Sequence, residues 1–198
     1  MFHYWTTPLS GKDPASMEWF REGFTDYYSS ITLSRVGIIS EELWYKKVET
    51  FLSRYYITRY RLGKKPSLVD AGKDKMANWF LLYGGGATIA LSLDIEIRYL
   101  TDGRKSLDDV MSIMYTKYFN KPFLVKELEQ VVSTVSGKDM SDFFDRYVLG
   151  DKEMPDVEHY LNKIGLSVSN YADEYYISKM SGISNDQRAL YDTLMHKQ

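Results

Sequence analysis

The chain has 198 residues, which suits one domain or one lobe of a larger protein. Hydrophobic residues make up 44% and aromatic residues 15%, which is enough for a packed core and excludes a disordered chain. The net charge is −2, with 25 basic residues scattered among 27 acidic ones, so a nucleic-acid partner is not expected. No apolar run approaches the length of a membrane-spanning segment. The sequence contains no cysteine, which rules out disulfides and cysteine metal sites but leaves the compartment open.

Helical periodicity dominates the pattern of apolar residues. Asp13 and Pro14 supply an N-cap and a first-turn proline for a helix that runs to about Val36. Ser40 caps a second helix, and residues 63–74 are predicted to form a loop. Further helices are predicted at residues 86–100, 106–118, 122–137, 141–148 and 156–164. Because strand-like alternation is almost absent, the sequence predicts a mainly α fold, a helical bundle with short connections.

Charged stretches and two of the three histidines have plain structural explanations. Residues 54–65 concentrate arginine and lysine, and we interpret them as the solvated end of a helix, with a polyanion site as the alternative. His159 and His196 have no partner at ligand spacing and are predicted to lie on the surface. The carboxylate pairs Glu41–Glu42 and Asp108–Asp109 fall in first helical turns, where they favour capping over catalysis.

Four residues have side chains suited to metal binding or catalysis: His3, Glu22, Asp26 and Tyr83. Zinc peptidases of the gluzincin type bind the metal through an HExxH helix and a glutamate on a following helix. Eighteen residues lie between His3 and Glu22, an interval that suits a helix–loop–helix return. Glu22 and Asp26 are one helical turn apart, so one can bind metal while the other supports a ligand imidazole. Spacing alone leaves open that all of these are ordinary surface residues.

Several strings, in order, resemble the glycyl-aminopeptidase family of zinc metallopeptidases, whose catalytic domain is thermolysin-like and often precedes a PDZ domain. They are residues 19–28 (WFREGFTDYY), 91–98 (LSLDIEIR), 106–111 (SLDDVM), 142–148 (DFFDRYV) and 160–166. The resemblance implies that residues 1–166 are the helical, C-terminal part of such a catalytic domain. Residues 167–198 are expected to be a polar tail with one possible helix at 185–196 and no convincing PDZ domain.

The resemblance also implies roles for individual residues. His3 and Glu22 are expected to bind zinc, with Asp26 supporting a ligand histidine. Tyr83 is expected to hydrogen-bond the oxyanion of a peptide substrate that has a small N-terminal residue. The first zinc histidine and the general-base glutamate are expected at the two positions before Met1, so the 198 residues alone are expected to lack activity and to bind no zinc tightly.

The string Tyr83-Gly84-Gly85-Gly86-Ala87 departs from the family pattern, since Gly85 stands where lysine is usual. The glycines are expected to let the backbone pass close to a bound peptide. The alternative, a phosphate cradle, lacks the lysine and the preceding strand that such a loop needs.

A rival function is a non-catalytic helical interaction domain on a peptidase scaffold that has lost its site. We also expect an exposed apolar face around Glu22 and Tyr83, which favours self-association into homo-oligomers. Neither compartment nor substrate can be assigned from the sequence.

Overall fold

The computed structural model describes residues 6–63 and 66–196, and it confirms the mainly α fold. No helix within these ranges has both the length and the apolar character needed to cross a membrane. The α-helices are α1 Thr25–Arg35, α2 Glu41–Tyr56, α3 Leu68–Ala71, α4 Gly86–Leu100, α5 Leu107–Tyr118, α6 Val125–Ser136, α7 Ser141–Phe144, α8 Val157–Lys163 and α9 Asn185–Met195. Strands β1 Leu166–Tyr171 and β2 Glu174–Lys179 form an antiparallel hairpin.

The helix starts follow the predicted caps. Ser40 accepts a hydrogen bond from the Leu43 amide, and Ser106 forms a capping box with Asp109. The Asp13 carboxylate accepts from the Ala15 amide at 3.2 Å and so begins the first helical segment.

Within the described residues, four helical stretches contain a π-helical turn, in which the chain takes one extra residue per turn. These turns are Phe20–Phe24, Ile57–Arg61, Leu81–Gly85 and Asp145–Leu149. The first follows a 3-10 turn, Ala15–Met17, and leads directly into α1. The third leads directly into α4. Such turns recur at functional sites because they redirect side chains out of regular helical register.

The predicted loop at 63–74 was wrong for its second half. Ser67 accepts a hydrogen bond from the Asp70 amide and thereby caps α3, which a 3-10 turn, Gly72–Asp74, extends. Leu68 and Ala71 are fully buried, so packing against the core stabilises a helix too short for its own periodicity to be visible.

The near absence of strands was also a wrong prediction for residues 166–179. The turn between β1 and β2 places Ala172 and Asp173 at positive φ (51° and 66°), as in tight hairpin turns. The hairpin packs on α2, where the Ile177 amide donates to the buried Glu49 carboxylate at 2.8 Å. Helix α9 lies where the sequence predicts a helix.

Helix α4 is the centre of the molecule, and every residue from Gly86 to Arg98 is buried. Asp94, which is 0% exposed, accepts hydrogen bonds from the Tyr27 hydroxyl (2.6 Å), Arg98 Nε (3.0 Å) and the Leu107 amide (2.9 Å). Arg35 lies 3.6 Å from the same carboxylate. Because each charge has several partners, this polar group is tolerated in the core.

The same two arginines hold the C-terminal helix. Arg35 Nε donates to the Leu194 carbonyl at 2.8 Å, and Arg98 Nη1 donates to the Thr193 carbonyl at 2.9 Å. Carbonyls in the last turn of a helix have no partner within the helix, so these bonds satisfy them and orient α9. The buried ion pairs of Asp94 with Arg35 and Arg98 are thus connected to the C-terminal end of α9.

The basic stretch is largely engaged within the protein. Arg59 is buried and donates to the carbonyls of Pro66 and Asp151, which corrects the expectation that this region is solvated throughout. Arg61 pairs with Asp173 at 2.6 Å, in the hairpin turn.

Residues 8–12 run alongside the connection between α5 and α6. The Phe123 amide donates to the Ser10 carbonyl at 3.0 Å, and the Lys12 amide donates to the Phe123 carbonyl at 2.8 Å. A third bond links the Asn120 amide to the Pro8 carbonyl at 3.0 Å. This short pairing fixes the segment that leads into the 3-10 turn at the start of the helical region, Ala15–Met17.

Candidate active site around Glu22 and Tyr83

The π-helical turn Phe20–Phe24 crosses the start of α4 at two glycines, and this crossing brings Glu22 next to Tyr83. A Cβ atom on Gly23 would lie 2.2 Å from the Gly86 carbonyl carbon, so the two backbones are in direct contact. Glu22 belongs to the turn Phe20–Phe24 and Tyr83 to the turn Leu81–Gly85. Only glycine permits so close an approach, and it places both side chains on one side of the crossing.

The glycine run therefore serves packing within the protein. A Cβ on Gly84 would lie 2.8 Å from the Phe51 carbonyl oxygen, and one on Gly85 would lie 2.9 Å from Leu68. Gly84, Gly85 and Gly86 are all buried. The expectation that these glycines face a bound peptide was wrong, because their open sides are covered by α2, α3 and residues 19–23.

The Glu22 side chain is 3% exposed, although it belongs to a residue type that is seldom buried without a partner. Lys75 Nζ donates a short hydrogen bond to Glu22 Oε1, and Arg21 Nη2 lies 3.6 Å from the same oxygen. Glu18, one helical turn earlier, is also nearly buried and lies 2.7 Å from Lys75 Nζ. Arg21 Nη1 also lies 3.4 Å from Glu18 Oε1, so the two carboxylates share the Lys75 ammonium at close range and the more exposed Arg21 guanidinium.

Tyr83 is partly buried and lines the same cavity as Glu22. Burial raises the pKa of the Tyr83 phenol well above its usual value. The hydrogen bond to Glu22 and the negative charges of Glu22, Asp26 and Glu18 act in the same direction. The phenol is therefore a hydrogen-bond donor throughout the neutral range.

Asp26 follows Glu22 by one turn and is partly buried in α1. Its charge is near enough to the Tyr83 phenol to contribute to the raised pKa. The structure thus brings Glu22, Asp26 and Tyr83 together. His3 lies outside the described residues.

A cavity of about 330 Å³ opens beside this group, and Glu22, Tyr83 and Arg21 line it together with residues 7–17 of the N-terminal segment. Beyond the cavity, Trp79 stacks on the Tyr83 ring with centroids 4.1 Å apart. Met76, Trp79 and Phe80 are exposed, so apolar surface does lie next to the site. A volume of this size suits a small ligand group.

Lys75, Glu18 and Trp79 were not predicted from the sequence. Glu18 does precede Glu22 by four residues, which places both on one helical face, and this spacing was an available signal. Lys75 and Trp79 follow a segment predicted as loop, where no periodicity indicates the direction of a side chain. The other two histidines are exposed: His159 contacts Tyr160, and His196 lies 3.7 Å from Asp108.

Glu22 fits the role of one zinc ligand. Its carboxylate is buried at a cavity wall and already binds a cationic group, the Lys75 ammonium. Across residues 6–63 and 66–196, no three His, Cys, Asp or Glu side chains gather as a metal site. Among the described residues, Glu22 is therefore a candidate ligand but not part of a complete ligand set.

Comparison with known proteins supports a peptidase scaffold. The model of the M61 glycyl aminopeptidase family matches residues 3–85, which contain His3, Glu22, Asp26 and Tyr83, and this confirms the resemblance over that range. No curated protein matches the chain. Among solved structures, it is similar to an aminopeptidase N family protein from Idiomarina loihiensis, with a TM-score of 0.73 and 22% identity. The match covers 85% of this chain and 32% of that one, so the shared fold spans about a third of that protein.

Proposed function

We propose that this chain is part of a zinc-dependent aminopeptidase that hydrolyses peptide bonds near the N-terminus of peptides. The observation that supports this most directly is the placement of the Glu22 carboxylate and the Tyr83 phenol at one cavity, inside the range that matches the glycyl aminopeptidases. His3 and Glu22 would hold the zinc ion, with Asp26 supporting a ligand histidine.

Each residue has a distinct task in this proposal. Zinc, when bound, polarises the scissile carbonyl and lowers the pKa of a bound water. Tyr83 donates its hydroxyl hydrogen to the oxygen on which negative charge develops, a role that its retained proton permits. The crossing at Gly23 and Gly86 fixes the distance between Glu22 and Tyr83, so that both groups are positioned before substrate binds.

The 198 residues contain no HExxH string, and in this proposal the general-base glutamate and a further histidine belong to another part of the peptidase. We therefore propose that this chain alone binds zinc weakly and does not hydrolyse peptides.

Calorimetric titration of the chelator-treated chain with zinc tests the assignment. Glu22→Gln and His3→Ala should each weaken zinc binding by more than the roughly 10- to 100-fold that loss of a supporting residue costs. Glu158→Gln, which changes an exposed carboxylate, should leave the affinity unchanged. The same samples should show no zinc-dependent turnover of alanyl-p-nitroanilide.

Zinc binding by the unmodified chain that persists at the same affinity in both variants would refute the metal site. The non-catalytic interaction domain would then be the remaining interpretation.

A further inference from the structure

The candidate metal ligand already has a cation on it, supplied by the chain itself. Lys75 Nζ donates to Glu22 Oε1 and lies 2.7 Å from Glu18 Oε2. The two glutamate side chains are 3% and 11% exposed, whereas the lysine side chain is 32% exposed. The carboxylates are thus fixed parts of the helix, and the ammonium reaches them from the surface.

The lysine stem has room to move. Lys75 follows the 3-10 turn Gly72–Asp74, and its ammonium lies 5.9 Å from the centre of the Tyr83 ring. Four rotatable carbon–carbon bonds separate the ammonium from the backbone, so the charge can relocate without moving the fold. Glu22, in contrast, lies where two backbones are in contact at Gly23.

A zinc ion on Glu22 would lie about 2.0–2.2 Å from a carboxylate oxygen. The Lys75 ammonium, hydrogen-bonded to the same carboxylate, would then lie within a few ångströms of a divalent cation. Like charges at such a distance repel strongly in a buried environment, where water screens them poorly. The ammonium and the metal ion therefore compete for Glu22.

We propose that Lys75 is an internal counter-ion of the site: it pairs with Glu18 and Glu22 when no metal is bound, and a divalent metal ion must displace it from Glu22. The inference rests on the proposed function in that it takes Glu22 as a metal ligand. Glu18 also takes part in this exchange, because it remains a partner for the Lys75 ammonium after the metal binds. Lys75 and Glu18 are thus positioning residues that set the metal affinity of the site.

The test is zinc titration of Lys75→Met, which keeps the length of the side chain and removes its charge. Zinc should bind at least about 10-fold more tightly than to the unmodified chain, since the Lys75 ammonium, which contacts Glu22 more closely than Arg21 does, no longer has to be displaced. Lys73→Met is the matched control, because Lys73 lies two residues earlier and pairs with the exposed Asp70 instead. Its zinc affinity should not change.

Thermal unfolding gives a second readout that does not depend on activity. Without metal, Lys75→Met leaves two nearly buried carboxylates without their ammonium, so its Tm should fall below that of Lys73→Met. Zinc should then raise the Tm of Lys75→Met by more than it raises the Tm of the unmodified chain.

Glu18→Gln keeps the inference testable if Lys75→Met does not fold. In this variant Glu22 is the one carboxylate of the pair that Lys75 can still contact. The ammonium is therefore harder to displace from Glu22, and the zinc affinity should fall several-fold. Unchanged or weaker zinc binding by folded Lys75→Met, or unchanged binding by Glu18→Gln, would overturn the inference. If Glu22→Gln abolishes zinc binding in the same series, the proposed function stands and only the role of Lys75 fails.

Discussion

At the scale of single residues, the role proposed for Tyr83 requires a phenol that keeps its proton. Burial, the hydrogen bond to Glu22 and the neighbouring negative charges all favour the neutral form of Tyr83. A tyrosine in water loses its proton near pH 10. The folded chain retains this proton where the unfolded chain loses it, so Tyr83 lowers the free energy of unfolding as the pH rises above about 10.

Tyr83→Phe allows this proton to be followed directly. In the difference between the titrations of the unmodified chain and the variant, monitored at 295 nm, we expect no tyrosinate signal near pH 10 and a signal only at higher pH. Tyr171→Phe, at an exposed tyrosine, calibrates the absorbance of one residue. A signal with a midpoint at pH 10 would show that the phenol is not held by Glu22.

Residue roles could be predicted only where they follow a sequence string. Glu22, Asp26 and Tyr83 were found because each lies in a string that resembles a known family, and the structure places all three together. The partner of Glu22 was not found, because Lys75 lies 53 residues away and follows a turn. Charge pairing across that separation depends on how the elements pack, which periodicity does not reveal.

At the scale of elements, π-helical turns interrupt two helical stretches close to the point where their backbones are in contact. Helix propensity takes no account of this contact, since it treats glycine within a helix as a weakness of about 1 kcal/mol relative to alanine. The π-helical turns and the paired glycines together set how closely the turn Phe20–Phe24 approaches the start of α4.

The substitution Gly23→Ala distinguishes helix propensity from the backbone contact, because the two predict changes of opposite sign in the free energy of unfolding. Local propensity predicts a gain of about 1 kcal/mol in the free energy of unfolding. The 2.2 Å approach of a Cβ to the Gly86 backbone predicts a loss of about 3 kcal/mol, because backbone cannot yield as a side chain can. Equilibrium urea unfolding decides between them. A gain in stability would mean that the crossing is looser than described.

The hairpin shows why the strand prediction failed. Type I′ turns with two residues are usually signalled by Asn-Gly or Asp-Gly, but here Ala172 and Asp173 take the positive φ values. Much of β1 and β2 is exposed and polar, so the alternation that marks a half-buried strand is weak. Contacts with α2, remote in sequence, stabilise the pairing.

At the scale of the whole molecule, one buried carboxylate connects the centre to the C-terminal helix. Asp94 organises Tyr27, Arg35 and Arg98, and the two arginines reach the last carbonyls of α9. The resemblance drew attention to this string without indicating that it forms a buried network. Self-association through the exposed surface near Trp79 stays a prediction at this scale.

Asp94→Asn should lower the free energy of unfolding by about 3–5 kcal/mol, since it removes the buried charge that two largely buried arginines share and leaves them with the more exposed Asp108 carboxylate. Asp102→Asn is the matched control, because its side chain is 88% exposed and asparagine tolerates the positive φ at that position. Urea unfolding monitored by tryptophan fluorescence measures both. A loss for Asp94→Asn below about 1 kcal/mol would contradict the network's role.

The pairing of residues 8–12 with residues 120–123 has a consequence for how this pocket diversifies. Residues 7–14 form one wall of the cavity, yet the connection between α5 and α6, more than a hundred positions later, holds that wall in place. Insertions or exchanges in that connection can therefore reshape the cavity without touching Glu22 or Tyr83. The shape of the cavity and the side chains of Glu22 and Tyr83 thus depend in part on separate stretches of the chain, so that changes in residues 120–123 need not alter either side chain.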